Sequence, residues 1–320
     1  MLSRRHLRTK VLQSLYAYFQ SGNHQIDQGE KQLLLSINKL FELFIYQLSF
    51  LVETARFAEN RLEEGRKKHL PTAEDLKPNF KFAHLDILTR VNDNKQFRKF
   101  EKLYKINWSQ EQEIVRRFYN LIKDTDDFGR FMSLESESFV AEKKFMAVIA
   151  EKYFTTFELL QSFYEEKSIF FVDDYHLVTY MVVKFFKNME KDFGVETPLP
   201  SLLNTDADAD NEDLDFVKRL FRETILHSEE FGNLIASSTS NWEQDRIAVM
   251  DMIILKMALA ELISFPSIPI KVTINEYIDI SKYFSTARSK VFVNGILDKL
   301  IFDFKNEGRI VKTGRGLLND

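Results

Sequence analysis

Ile268-Pro269-Ile270-Lys271-Val272-Thr273-Ile274-Asn275-Glu276 and, a helix further on, Phe292-Val293-Asn294-Gly295-Ile296-Leu297-Asp298-Lys299 decide the fold of this chain. Pro266 and Pro269 interrupt whatever helix precedes them. The apolar spacing that follows predicts one helix over 274–284 and a second over 287–304. Between them, Ser285-Thr286-Ala287-Arg288-Ser289-Lys290-Val291-Phe292 joins hydroxyls and two cations at a helix start. Gly295 falls inside the second helix, where glycine costs about 1 kcal/mol relative to alanine. Close packing against a neighbouring helix is its expected rationale.

Outward from this pair, the pattern stays helical. Helices are predicted near 214–227, 230–236 and 242–264, preceded by a linker, 194–213, with Pro198, Pro200 and an acidic run. At the other end Ser3 is placed to cap a helix over 4–20, whose apolar face is Leu7, Val11, Leu12, Leu15, Tyr18 and Phe19. Arg4 and Arg8 lie one turn apart on another face and are expected to point outward. In the middle, Ile37, Phe41, Phe44, Leu48 and Leu51 form a coiled-coil-like seam within a helix over 31–66. Pro71 and Pro78 bracket a break. Helices follow around 84–91 and 97–104, and a capping box, Ser109 to Gln112, opens another to about Lys123. A loop over 124–136 and helices over 138–164 and 174–189 complete the middle. The tail from Asn306 onward, glycine-bearing and basic, is expected to be flexible.

Composition supports an all-α chain. The 320 residues are 44% hydrophobic and 13% aromatic, with 30 Phe but only 10 Gly and 6 Pro, too few for a turn-rich β protein. With 0 Cys there is no disulfide, thiolate metal site or cysteine nucleophile. No signal-peptide pattern and no apolar run near the ~20 residues of a membrane helix is apparent, so a soluble cytoplasmic protein is expected. The net charge of −4 conceals an uneven distribution. Arg4, Arg5, Arg8 and Lys10 make the first twenty residues purely cationic, the stretch from Thr286 onward is also net basic, and the interior is acidic. Basic ends around an acidic middle indicate a local anion-binding surface.

Catalytic patterns are absent: there is no phosphate-binding glycine loop, zinc-protease helix or nucleophile elbow. His6, His24, His69, His84, His176 and His227 are scattered, none at metal-ligand spacing. Asp206-Ala207-Asp208-Ala209-Asp210 imitates the start of a calcium loop, but Asn211 and Val217 stand where glycine and glutamate are required. It reads as a solvated linker. No metal or cofactor is expected. The Arg4-Arg5-His6-Leu7-Arg8 cluster at a helix start is, by contrast, a compact anion site, suited to RNA phosphates and unpaired bases.

The two opening strings resemble the C-terminal signature of the NusB family of bacterial transcription antitermination factors, which reads roughly IP-x-KV-x-INE, a turn bearing lysine and phenylalanine, then FVNGVLDK. The N-terminal arginine cluster leading into Val11, Leu12, Leu15 and Tyr16 is a second family feature. The resemblance covers about residues 1–20 and 212–304. It implies a NusB-like helical bundle with no reaction of its own, enlarged by about five inserted helices over 21–193, an acidic linker over 194–211 and a basic tail over 305–320. It also implies binding of boxA-type single-stranded RNA together with NusE, a small-subunit ribosomal protein, within the RNA polymerase antitermination complex. The RNA-binding residues implied are Arg4, Arg5, His6, Arg8, Arg288, Ser289, Lys290 and Phe292, and those facing the protein partner are Tyr16 and Asp251. Arg288 stands where a family pattern has an acid and Lys290 where it has histidine, so this junction gains positive charge. An alternative is a helical interaction scaffold or ribosome-assembly factor that has lost sequence-specific RNA binding. A NusB-like domain also fronts ribosomal-RNA cytosine methyltransferases, but those need a cysteine and a following cofactor fold. Oligomeric state is open, because apolar seams drive a dimer as readily as an extended bundle.

Overall fold

The computed structural model describes residues 2–22, 25–135, 138–203, 212–239 and 247–317, and these contain helices and no β-strand. The calcium-like acidic run, His24 and the predicted helix start at Trp242 lie outside the described residues. The chain divides into two compact units, one of residues 1–37 and 201–320 and the other of residues 38–200.

Helix α1 (Arg4–Gln20) begins as the sequence implies. The Ser3 hydroxyl accepts from the His6 amide, while His6 Nδ1 accepts from the Ser3 amide, a reciprocal capping box that satisfies two donors at the helix start. Helix α2 (Ile26–Arg66) contributes its residues to Ile37 to the first unit and the rest to the second. It is long and apolar enough to cross a membrane by composition alone, which the sequence reading overlooked, but 67% of its most apolar window is buried inside the protein. Near its start Gly29 permits close approach: a Cβ there would lie 2.7 Å from the Phe221 ring and 2.8 Å from Tyr18.

The second unit continues with α3 (Ala73–Leu76), α4 (Asp86–Asp93), α5 (Lys95–Leu103), α6 (Gln112–Lys123), α7 (Asp126–Met132), α8 (Phe139–Val148), α9 (Glu158–Lys167), α10 (Ile169–Val172) and α11 (Tyr175–Asn188). Phenylalanine builds its core. The Phe50 ring, fully buried, has centroid distances of 5.0 Å to Trp108 and 5.0 Å to Phe118. Trp108 donates its indole N–H to Ser49 Oγ at 3.0 Å, so the large ring is buried without an orphan donor. Three local expectations are corrected here. The Ser109 hydroxyl and amide are taken by the Asn107 side chain, so α6 starts at Gln112 without a side-chain cap. The stretch expected as a loop contains α7, because Thr125 caps it and Asp126 and Asp127 favour its positive end. The single helix expected over 138–164 is interrupted by a π-helical segment, Ile149–Phe154, and ends before α9.

The first unit is completed by α12 (Glu212–Leu226), α13 (Ser228–Ser238), α14 (Val249–Ser264), α15 (Ile270–Phe284) and α16 (Ser289–Asn306). Helix α14 is its hydrophobic axis: Ile253, Ile254, Leu255, Met257, Ala258, Leu259, Ala260 and Leu262 are all buried. Around it, α16 presents Phe292, Val293, Ile296, Leu297, Leu300 and Phe304 to the core. Gly295 does not fill the role expected of it. It is exposed, and a Cβ there would meet nothing within 4 Å. The described part of the tail, to Leu317, packs back on the end of α14. Lys312 is buried and donates to the carbonyls of Leu262 and Phe265 at 2.9 and 3.0 Å, satisfying acceptors at the end of α14. The Thr313 amide donates to Pro266 O at 3.0 Å, and a Cβ on Gly316 would sit 1.9 Å from that same oxygen, so only glycine fits.

Candidate nucleic-acid interface

The first unit gathers the start of α1, the exposed side of α15, the α15–α16 junction and the tail around two adjoining clefts. The larger, about 1350 Å³, is lined by Arg4, Arg5, Arg8, Phe216, Arg219, Phe265, Glu276 and Arg315, among others. The smaller, about 590 Å³, is lined by residues including Arg5, Asp279, Lys282 and Lys290. Arg5, Val272 and Glu276 line both, so the two clefts adjoin across the Arg5–Glu276 pair.

The N-terminal arginines are not the free cations that the sequence suggested. Arg8 is 3% exposed and Glu261 0%. The guanidinium of Arg8 donates through Nε and Nη2 to the two Glu261 oxygens at 2.7 and 2.8 Å. Thr273 Oγ1 and the Tyr277 hydroxyl donate to the same carboxylate at 2.9 and 3.1 Å. Burial opposes the charge on Arg8, but the hydrogen bonds and charge of Glu261 outweigh it and hold the guanidinium firmly protonated. Arg8 therefore fastens α1 to α14 and α15 instead of pointing outward. Arg4 is half-buried, pairs with Asp213 at 2.8 Å and Glu212 at 3.3 Å, and lies over the Phe216 ring at 4.5 Å. Arg5 is exposed but forks onto Glu276 at 2.9 Å through both nitrogens and reaches Asp279 at 3.0 Å. Its pKa is raised, chiefly by the hydrogen bond to Glu276. The His6 ring serves the α1 cap, and burial, then the charge of Arg5, lowers its pKa.

At the second predicted cluster, Arg288 and Lys290 are exposed and form no ion pair among the described residues. Ser289 is buried instead: its hydroxyl accepts from the Thr286 amide at 3.1 Å and donates to Asp251 at 2.7 Å. Asp251 is only 4% exposed, and its carboxylate ties the start of α14 to the start of α16. Phe292 is 8% exposed and belongs to the core face of α16. Tyr16, at 42% exposed, stands on the outer side of α1. The structure thus brings Arg5 and Lys290 to one cleft, while Tyr16 does not line either cleft. Among the described residues no group of acids and histidines is arranged to hold a metal ion.

Comparison with known proteins places this geometry in a family. The NusB family model matches residues 177–302. The transcription antitermination protein NusB of Salinibacter ruber is 41% identical over 133 residues, 42% of this chain and 83% of that protein. The chain belongs to the NusB family. Its members of that name in Chloroherpeton thalassium and Geobacter sulfurreducens are 35% and 39% identical, over 39% and 29% of this chain and 59% and 67% of theirs. No solved structure matches. NusB is a non-catalytic family, and this chain is not an enzyme. The matched segment ends before the docked tail and begins well after α1, so Arg4, Arg5 and Arg315 enter the groove from outside it.

Two groove residues escaped the sequence reading. Arg219 lies over the Phe265 ring at 5.2 Å, and Arg315 sits on the short 3-10 turn Gly314–Leu317. Both are exposed and without an ion pair among the described residues. Nothing local distinguished Arg315.

Proposed function

We propose that this NusB-family chain is a cytoplasmic transcription antitermination factor that binds boxA-type single-stranded RNA together with NusE and joins the RNA polymerase antitermination complex. The observation that carries this reading is the pair of exposed, unpaired cations Arg288 and Lys290 at the start of α16, with Lys290 sharing a cleft with Arg5. An RNA phosphate approaching Arg5 or Arg4 competes with Glu276, Asp279 or Asp213. Arg288 and Lys290 have no direct ion pair to give up among the described residues, although the charge of Lys290 is felt by Asp279 in the same cleft. Arg8, His6, Ser289 and Phe292 support the surface from beneath. Tyr16 is the exposed candidate for the protein partner, and Asp251, buried, holds Ser289 at the α15–α16 junction.

The test is fluorescence anisotropy of labelled boxA RNA, with and without NusE, against scrambled RNA. The expected result is sequence-preferring binding that strengthens with the partner, with log affinity falling by roughly 0.7 per neutralised phosphate against log salt. Replacing Arg288 and Lys290 with alanine should weaken RNA binding and leave partner binding intact. A second reading, a helical scaffold or ribosome-assembly factor without sequence-specific RNA binding, draws on the carboxylates that already occupy Arg4, Arg5 and Arg8. Absence of binding at low salt under both conditions would favour it.

A further inference from the structure

We infer that the RNA-binding groove extends past the N-terminal arginines into the larger cleft, where Arg219 and the tail residue Arg315 take the phosphates of a single strand. The inference rests on the RNA reading above and adds residues and a direction to it. Three observations carry it.

The first is continuity. Lys290 lines the smaller cleft, Arg219 and Arg315 line the larger, and Arg5, Val272 and Glu276 belong to both. A strand held at the α15–α16 junction can therefore pass over Arg5 from the smaller cleft into the larger. The second is charge that is not already spent. Arg4 and Arg5 are neutralised by acids, whereas Arg219 and Arg315 are exposed with no ion pair among the described residues. Glu212 and Asp215 are exposed acids in the same cleft; Glu212 is engaged by Arg4, which leaves Asp215 to oppose Arg219 and Arg315. The third is the way the tail is held. Lys312 is buried on the carbonyls at the end of α14, and Gly316 is pressed against Pro266, so Arg315 is carried on anchored backbone. Anchoring reduces the conformational entropy lost when the arginine engages a ligand. Beneath this part of the groove, Arg4 lies over Phe216, Arg219 lies over Phe265, and the two rings meet at 5.2 Å. Guanidinium groups set over aromatic rings make a cationic patch against which an unpaired base can stack while its phosphate is paired.

The experiment compares the full chain with Arg219→Ala/Arg315→Ala, Arg219→Lys/Arg315→Lys and Asp215→Asn, by anisotropy across a salt series. Probes are single-stranded RNAs of about 6 and about 12 nucleotides containing the boxA-type sequence, within the usual range of single-strand sites. Thermal denaturation confirms that each variant is folded. The alanine pair should bind the longer RNA several-fold more weakly, with a salt slope shallower by about 1.4, the loss of two phosphate contacts. The lysine pair should restore most of the slope, and Asp215→Asn should tighten binding. The shorter RNA should be less affected. If the wild type binds RNA and the alanine pair matches it in affinity and slope, the extended track is wrong and the RNA reading stands. If the wild type binds neither RNA at low salt, both fall. Binding of a polyglutamate peptide that depends on Arg219 and Arg315, with RNA binding independent of them, would overturn the inference in favour of an acidic protein ligand.

Discussion

Replacing Arg8 with methionine separates a structural arginine from an RNA-binding one. The substitution keeps an unbranched side chain of similar length in the bundle but removes the charge. It leaves the Glu261 carboxylate, wholly buried, with only the Thr273 and Tyr277 hydroxyls as donors. Removing one partner of a buried ion pair costs about 3–5 kcal/mol, because the remaining charge is desolvated without compensation. For a unit of this size that corresponds to a drop in Tm of roughly 6–20 °C. Urea and thermal denaturation followed by circular dichroism would read the loss, and hydrogen exchange at α14 and α15 amides would locate it. Combining Arg8→Met with Glu261→Gln removes both charges and retains a carbonyl acceptor for Thr273 and Tyr277. The double variant should recover to within about 1–2 kcal/mol of the wild type, since a buried pair contributes little net stability over a neutral replacement. The reasoning is refuted if Arg8→Met leaves stability unchanged while RNA affinity falls, for then Arg8 is an exposed ligand contact.

Other outcomes follow from the same structure. His6 is expected to make the chain acid-sensitive. Burial depresses its folded pKa, so the unfolded chain takes up the proton first, and the stability present above about pH 6.5 is lost as pH falls toward the folded value. His6→Gln keeps a capping side chain that does not titrate, and the difference in Tm between the two proteins should vary with pH only through this window; a constant difference would exclude the role. Gly295→Ala, on an exposed helical position with open space around it, should raise stability by about 0.4–1 kcal/mol in urea titration. A loss would mean that the position is closed in solution. Phe50→Ala, which empties the centre of the Trp108 and Phe118 cluster, should cost about 3–5 kcal/mol, and a cost below about 1 kcal/mol would show that the cluster collapses to fill the space.

Much of this protein is written locally. The family strings from Ile268 and Phe292, the Ser3 cap, the apolar face of α1 and the pair α15–α16 all depend on residues within a few turns of one another. Periodicity and capping chemistry report such neighbours directly. Even so, Ser109 was drawn away by Asn107, and the stretch over 138–164 broke into a π-helical segment, because competing hydrogen bonds and packing outweigh a propensity difference of a few tenths of a kcal/mol. What the tertiary structure alone decided is which charges remain available. Arg8 meets Glu261 across 253 positions and Arg5 meets Glu276 across 271. The sequence singled out the first cluster as the anion site and passed over Arg219 and Arg315. Folding brings acids to the first pair and leaves the second open, and the same long-range closure draws the tail onto α14 through Lys312. A chain can specify its helices through near neighbours, but the free energy of an ionic group depends on its burial and its partner, which exist only once distant segments have met.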